Sequence, residues 1–437
     1  MMILQLLIVL LCIIIGARLG GIGLGVMGGL GVTLLTFVFG LQPTSPPVDV
    51  MLMIAAVVSA AACMQAAGGL DYMVKVAERL LRKHPRNITI LAPLVTYIFT
   101  FLAGTGHIAY SVLPVIAEVA RETKIRPERP LGIAVIASQQ AITASPISAA
   151  TVTLLGMLAG YDITLFDILK ISVPATLIGV LVGAFASMRV GKELVDDPEY
   201  KRRVAEGVLQ KRVSQTGDVL SKKNNERRAV TSVLLFLAAT LLIVLFGSIG
   251  GLRPVFNGEE VGMPLIIEMV MLATAALILL LTKTDGAKAV HSSVFSAGMQ
   301  AVVAIFGIAW MGDTFINANL IELKEAVAGV VNEMPWLFGL ALFVMSILLY
   351  SQAATVRAIV PLGVGLAISP MTLIALFPAV NGYFFIPNYP TLIAAINFDS
   401  TGTTRIGRWV LNHSFMLPGL ISTAVAVAVG LLLIQIY

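Results

Sequence analysis

The sequence predicts an all-α polytopic membrane protein with about ten transmembrane helices in two inverted repeats, each with a re-entrant hairpin and a broken helix. Composition is the first sign: 58% of the 437 residues are hydrophobic, 12% are charged, and mean hydropathy is +0.93. Many stretches of about 17 to 25 apolar residues are each long enough to cross a bilayer. The second sign is a pair of small polar knots inside apolar segments, Gly104-Thr105-Gly106-His107 and Ser351-Gln352-Ala353-Ala354-Thr355. The third is a set of prolines that recurs in the same order in both halves.

Residues 2–17 form the first apolar run and residues 19–41 the second, with Arg18 between them. The first run lacks a basic n-region and an A-x-A cleavage site, so it reads as a retained helix. In the second, Gly21, Gly25 and Gly29 stand four apart, as do Gly16 and Gly20, a spacing that lets membrane helices approach closely. Gly23-x-Gly25-x-x-Gly28 matches a dinucleotide fingerprint in form only, because no strand precedes it. A third span covers 49–68. Residues 70–87 are amphipathic, with Lys75, Arg79, Arg82 and Lys83 among Leu70, Val74, Leu80 and Leu81, and read as a helix on the membrane surface.

The stretch 91–120 organises the first half. Its leading arm, residues 88–103, is about 24 Å long as a helix, short of the roughly 30 Å hydrocarbon core. It reads as the descending arm of a re-entrant hairpin with Gly104, Thr105, Gly106 and His107 at the tip; the alternative is one long helix kinked at two glycines. Irregular backbone at that depth must be buried in protein or line a wet cavity. Residues 130–160 form a span broken at Ser145-Pro146-Ile147-Ser148, since an interior proline removes a helix hydrogen bond. Ser138, Gln139, Gln140 and Thr143 precede the break and predict either a cavity lining or interhelical hydrogen bonds. Another span covers 168–188.

Residues 189–228 are hydrophilic, hold eleven Lys or Arg, and read as a solvated linker. Spans then run over about 229–248, 264–282 and 295–312. A second hairpin runs from Trp336 to about Ile368 with residues 351–355 at its tip. A broken span follows over 371–397, interrupted at Pro387-Asn388-Tyr389-Pro390, and a last span over 410–436. The domains expected are 1–190 and 229–437 as the repeats, with 191–228 as a cytoplasmic linker.

Pro85, Pro114, Pro130, Pro146 and Pro174 align with Pro335, Pro361, Pro370, Pro387 and Pro418 at offsets between 240 and 250 residues. Five spans and one hairpin per half make the repeats inverted. Of the 29 Lys and Arg, all but Lys170, Arg253, Lys324 and Arg357 then fall on one side. The positive-inside rule makes that side cytoplasmic and places both termini outside. Inverted repeats with paired breaks are the pattern of a secondary transporter.

The polar residues that meet at the breaks are mostly neutral: Thr105, Ser145, Ser148, Ser351, Gln352, Thr355, Asn388 and Tyr389, with His107 the one ionisable group at the first tip. Hydroxyls, amides and free helix-end N–H groups suit carboxylate oxygens. Arg357 is the cation inside an apolar segment; it can hold a carboxylate through two parallel hydrogen bonds, pair with Asp313, or snorkel outward. His107 can equally be a neutral packed side chain. Cys12 and Cys63 lie in apolar runs and form no C-x-x-C, so neither a disulfide framework nor a metal site is expected. The net charge of +5 is explained by loop topology and not by nucleic acid. No P-loop or G-x-S-x-G occurs, and no cofactor is expected.

The segments Gly-Ala-Arg-Leu-Gly-Gly-Ile-Gly at 16–23, Met-Gln-Ala-Ala-Gly-Gly-Leu-Asp-Tyr at 64–72 and Gly-Thr-Gly-His at 104–107 resemble the anaerobic C4-dicarboxylate transporter (Dcu) family. So do Ile-Arg-Pro-Glu-Arg-Pro at 125–130, Ala-Ser-Pro-Ile-Ser at 144–148, Tyr-Ser-Gln-Ala-Ala-Thr at 350–355 and Asp-Ser-Thr-Gly-Thr-Thr-Arg-Ile-Gly-Arg at 399–408. The resemblance spans the chain and is nearest the DcuA branch. It implies exchange of fumarate, malate, aspartate and succinate across a bacterial inner membrane, and an ion-transporter-superfamily fold with substrate at paired hairpin tips, often moving as an elevator. The expected partners are C4-dicarboxylates, the lipid bilayer, a coupling H+ or Na+ if transport is symport, and a second copy in a homodimer. The rival readings are such a symporter, a channel, and an intramembrane enzyme built on His107 with Asp71 or Asp313.

Overall fold

A computed structural model gives the structure of the chain and describes residues 1–19, 22–46, 48–207, 222–249, 251–319, 321–322, 336–349, 351–387, 389–407 and 411–436. Expectations placed on Gly20, Gly21, Lys324, Pro335, Asn388, Arg408 and linker residues 208–221 lie outside these, as do those on the side chains of Arg18 and His107.

The first half contributes α1 (Met2–Leu19), α2 (Gly23–Phe37), α3 (Val48–Ala66), α4 (Gly69–Lys83), α5 (Ile88–Ala103), α6 (Ala109–Glu122), α7 (Glu128–Ala144), α8 (Ala149–Leu158) and α9 (Leu165–Ser187). After the short α10 (Pro198–Ala205) come α11 (Lys222–Ser248), α12 (Met263–Thr282), α13 (Gly286–Val290) and α14 (Ser293–Ala318). The chain continues through α15 (Trp336–Leu349), α16 (Gln352–Gly365), α17 (Pro370–Leu376), a 3-10 stretch over Phe377–Phe384, α18 (Pro390–Phe398) and α19 (Met416–Leu433). A two-residue strand pair, β1 (Val255–Phe256) and β2 (Glu259–Glu260), closes the loop between α11 and α12.

The element order repeats. Helices α5 and α6 correspond to α15 and α16, α7 and α8 to α17 and α18, and α9 to α19. The paired prolines sit at matching places: Pro114 and Pro361 inside the second hairpin arms, and Pro174 and Pro418 inside α9 and α19. Pro146 and Pro387 occupy the two breaks, between α7 and α8 and ahead of α18.

Seven helices among the described residues are long and apolar enough to cross a membrane, or eight if the pair Met51–Ala66 and Gly69–Lys83, bent by 70°, counts as one span. The expected ten include Met2–Gly16, Gly25–Phe37 and Pro370–Phe384, which are apolar but shorter. Pro85–Ala103 is among the seven, because a 3-10 turn at Pro85–Asn87 extends the 16-residue α5 to 19 residues. The bend at Gly68, with φ +86°, lays α4 across the end of α3. Leu70, Met73, Ala77 and Leu81 are its buried stripe, at three- and four-residue spacing. The last span begins at Met416 and not 410, after residues 399–407 and 411–415, which are not helical.

Two bundles result. In the outer one, α2 packs along α1 and α14, α12 along α3 and α11, and α3 crosses α14. A Cβ at Gly25 or Gly28 would collide with the backbone of Val303 or Gly307, so these two glycines, and not Gly29, provide the close approach. In the inner bundle, α9 and α19 lie along one another, α5 packs on α7, and α15 on the 3-10 stretch 377–384. The second arm of each hairpin packs on the other half's post-break helix: α6 on α18, and α16 on α8.

Candidate functional site

The first tip forms where α5 ends. Gly104 takes the left-handed conformation, φ +66°, and its N–H bonds to the Thr100 carbonyl, closing the helix. Residues 106–108 make a 3-10 turn, and α6 starts at Ala109. Gly104 and Thr105 line a cavity of about 120 Å³ together with Ile147 and Ala149 at the first break, Val58 of α3 and Val294 of α14. His107 contributes to the turn through its backbone.

The first break is held by its serines. Ser145 Oγ donates to the Phe101 carbonyl at 2.6 Å, tying the break to the last turn of α5. Ser148 Oγ donates to the Ile142 carbonyl at 2.6 Å and accepts from the Thr151 N–H at 3.2 Å, which caps α8. Both expected ligands are thus engaged with helix ends. Ser351 does the same at the second tip, where its Oγ accepts the Ala354 N–H at 3.2 Å as the N-cap of α16. Thr355 Oγ1 donates to the Ser351 carbonyl at 2.8 Å.

Gln352 is different. It is 6% exposed, and its Nε2 reaches Tyr383 Oη at 2.6 Å, Asn381 Oδ1 at 3.1 Å and the Gln139 carbonyl at 3.5 Å. Asn381 Nδ2 reaches Gln140 Oε1 at 3.2 Å and Thr143 Oγ1 at 3.3 Å. Gln140 Nε2 continues the chain to Thr423 Oγ1 at 2.9 Å. Tyr389 stacks on Tyr383, ring centroids 4.4 Å apart and tilted by 46°. Thr100 Oγ1 donates to Ser138 Oγ at 3.2 Å, and Ser138 Oγ reaches the Gly106 carbonyl at 3.5 Å.

Consecutive residues of α7 therefore touch both tips: Ser138 meets Gly106 of the first, and Gln139 meets Gln352 of the second. The centre is a buried, neutral network of amides, hydroxyls and helix ends. The expected residues brought to it are Gly106, Gln352 and Tyr389. Gly104, Thr105, Ser145 and Ser148 sit at the first tip and break, while Ser351 and Thr355 shape the second tip. Asn388 lies outside the described residues. No motif in the sequence marks Asn381 or Tyr383, and Gln139 and Gln140 stand there only within a general polar run. Asn381 sits in an otherwise apolar 3-10 stretch, and that mismatch was the available signal.

Arg357 does not join this centre. Its Nη2 pairs with Asp313 of α14 at 3.2 Å, both side chains 17% exposed. Its Nε has no hydrogen-bond partner among the described residues. The pair spans the junction between the hairpin and the outer bundle, where α14 packs on α16.

A family model described as "Anaerobic c4-dicarboxylate membrane transporter" matches residues 1–437. The chain is 44% identical to the anaerobic C4-dicarboxylate transporter DcuB of Escherichia coli O6:H1, over 99% of this chain and 98% of that one. It is 44% identical to C4-dicarboxylate transporter DcuA of Wolinella succinogenes over the full length of both, and 45% identical to DcuA of Escherichia coli K12 over 99% of each. Among solved structures, the Alcanivorax borkumensis YdaH transporter is similar with TM-score 0.55 at 14% identity, covering 94% of this chain and 89% of that one. Neisseria gonorrhoeae MtrF, described in a study of antimetabolite efflux pumps, is similar with TM-score 0.54 at 13% identity, covering 92% and 84%. These two similarities concern the fold.

Proposed function

The chain belongs to the anaerobic C4-dicarboxylate membrane transporter family, and on that premise we propose that it exchanges C4-dicarboxylates, taking in fumarate, malate or aspartate and releasing succinate across a bacterial inner membrane. It is a multi-pass membrane transporter and not an enzyme. The observation that supports the substrate site is the meeting of both hairpin tips on residues 138 and 139, inside a neutral network of amides and hydroxyls. Such groups hold a dianion through hydrogen bonds without burying a permanent counter-charge.

Residues 1–190 and 229–437 act as the two inverted repeats and 191–228 as the cytoplasmic linker. The inner bundle carries the site past the outer one in an elevator movement, and the protein works as a homodimer with both termini outside. The packing supports this division, because hairpins, broken helices, α9 and α19 pack chiefly on one another. Counterflow in proteoliposomes tests the reading. Labelled fumarate uptake should accelerate when the vesicles hold unlabelled succinate, with no ion gradient imposed. Uptake that needs an imposed proton or sodium gradient would replace exchange by symport. For orientation, single cysteines in residues 189–207 and 251–262, in a background lacking Cys12 and Cys63, should label from opposite sides of intact cells.

A further inference from the structure

The polar run on α7 is nearly complete in its pairing. Ser138 accepts from Thr100 and reaches Gly106, Gln140 is bonded at both ends of its amide, and Thr143 donates to the Gln140 carbonyl at 2.8 Å while Asn381 approaches it. Gln139 is the exception. It is 2% exposed, and neither its Nε2 nor its Oε1 has a hydrogen-bond partner among the described residues. The other buried polar atoms in that condition are single hydroxyls, besides Arg357 Nε. A hydroxyl can turn to share a carbonyl of its own helix; a whole amide cannot. A buried amide with donor and acceptor both unfilled is costly, and such groups are kept where they serve a ligand. The Ser138 side chain touches one tip and the Gln139 backbone carbonyl touches the other, so residue 139 stands on α7 at the level where the two tips meet.

We infer that Gln139 is the specificity-determining residue that reads the substituent at C2 of the substrate. This rests on the dicarboxylate reading above. A carboxylate offers acceptors alone, so it can use Nε2 but leaves Oε1 unfilled. Aspartate carries an ammonium beside one carboxylate, and malate a hydroxyl. Each supplies the donor that Oε1 lacks while the adjacent carboxylate accepts from Nε2. Fumarate and succinate have no such donor. A site built to hydrogen-bond a substrate donor discriminates against the analogue without it, and the bond to a charged ammonium exceeds that to a hydroxyl.

The test is competition in the proteoliposome exchange assay, with unlabelled aspartate, malate or succinate against labelled fumarate. Gln139→Met keeps the volume and removes both polar atoms. It should lower the affinity for aspartate relative to succinate about tenfold, and that for malate by less. The thermal midpoint of the variant should be unchanged or raised, because an unpaired amide is replaced by an apolar group of similar shape. Gln139→Glu keeps an acceptor and adds a charge that opposes carboxylates, so it should move the aspartate-to-succinate ratio the other way. An unchanged ratio in both variants, or a lowered midpoint with equal loss for all compounds, overturns the inference and leaves the exchange reading standing. A wild type that exchanges none of the four compounds overturns both.

Discussion

The two hairpins share one plan, but their tips are held in different ways. The first is closed by backbone: Gly104 in the left-handed region, packed on Ile147, with Ser145 bonded to the carbonyl of Phe101. All of these partners lie in its own half. The second is held by side chains that leave its own arms. Gln352 reaches Gln139 of the first half and Asn381 and Tyr383 of its own broken span, and Arg357 reaches Asp313 in the outer bundle. Tyr110 stands where the proline alignment puts the counterpart of Arg357, so the cation is a feature of one half only. The first tip is therefore set by conformation and the second by hydrogen bonds and charge, and substitutions should separate them.

The largest effect is expected at the ion pair. Arg357→Gln leaves Asp313 partly buried without its partner, which should cost about 3 kcal/mol, read as a lower thermal midpoint in detergent. Adding Asp313→Asn should restore much of that loss, because no lone charge remains. Transport then decides the role of Arg357. If the pair is structural, the double variant regains exchange along with stability. If the guanidinium also serves the substrate, one of the roles the sequence leaves open, stability returns and exchange does not.

Next comes Gln352→Ala, which strips a buried network of its central donor. Leaving Asn381 Oδ1 and Tyr383 Oη without it should cost about 2 kcal/mol, with a weakened affinity for fumarate measured by isothermal titration. Ser145→Ala, at the first break, should lower stability by about 1 kcal/mol with little change in that affinity. If Ser145→Ala weakens fumarate binding as much as Gln352→Ala does, the contrast between the tips fails.

Gly104→Ala examines the first tip directly. An alanine in the left-handed region costs about 1 kcal/mol, and its Cβ would stand 2.8 Å from Ile147 Cγ1. Combining Gly104→Ala with Ile147→Ala, which removes Cγ1 where valine would keep it, should recover part of the summed single losses if contact with Ile147 contributes. No recovery would assign the whole loss to the backbone.

What the sequence made legible follows from punctuation. Gly104, Pro146, Ser351 and Pro387 interrupt apolar runs where an uninterrupted helix would otherwise form, so both tips and both breaks were placed within a residue or two. The interior of the site was less legible, because pairing of an amide depends on what another helix brings to it. Gln139 and Gln140 are adjacent on α7, yet the side-chain amide of Gln140 is bonded at both ends and that of Gln139 has no partner among the described residues. Asn381 lies among apolar neighbours that read as a continuous span. Hydropathy starts α19 too early because residues just before Met416 pair back on the preceding chain: Ser414 N–H bonds the Arg405 carbonyl at 3.1 Å, Ser414 Oγ accepts the Arg405 N–H at 2.9 Å, and His413 bridges Ile406. Hydropathy carries no trace of such bonds.

The smallest expected effect lies where each hairpin leaves its second arm. After α6 the chain is fastened by charge: Arg126, buried, bonds Glu128 at 2.6 Å and Asp197 of the linker at 2.6 Å. After α16 the connection is fastened by Ser369, which caps α17 through the Thr372 N–H at 3.1 Å. Only the first exit should respond to acid. Burial disfavours the charged form of Asp197, but the Tyr200 and Glu199 N–H groups and the Arg126 guanidinium outweigh it and hold its carboxyl below the usual carboxylate value. A depressed folded-state value means that this stabilisation is fully present above the unfolded value, about 3.9, and is lost as pH falls through the lower folded value. Because burial and bonding oppose one another here, the change should be modest. Melting curves from pH 7 down to about pH 3 should show a shallower acid decline for Asp197→Asn than for the wild type. Ser369→Ala should lower the midpoint by about 1 kcal/mol equivalent at every pH and leave the acid decline unaltered. An identical acid decline in wild type and Asp197→Asn would remove the charged clasp from the account of the first hairpin and make the two exits alike.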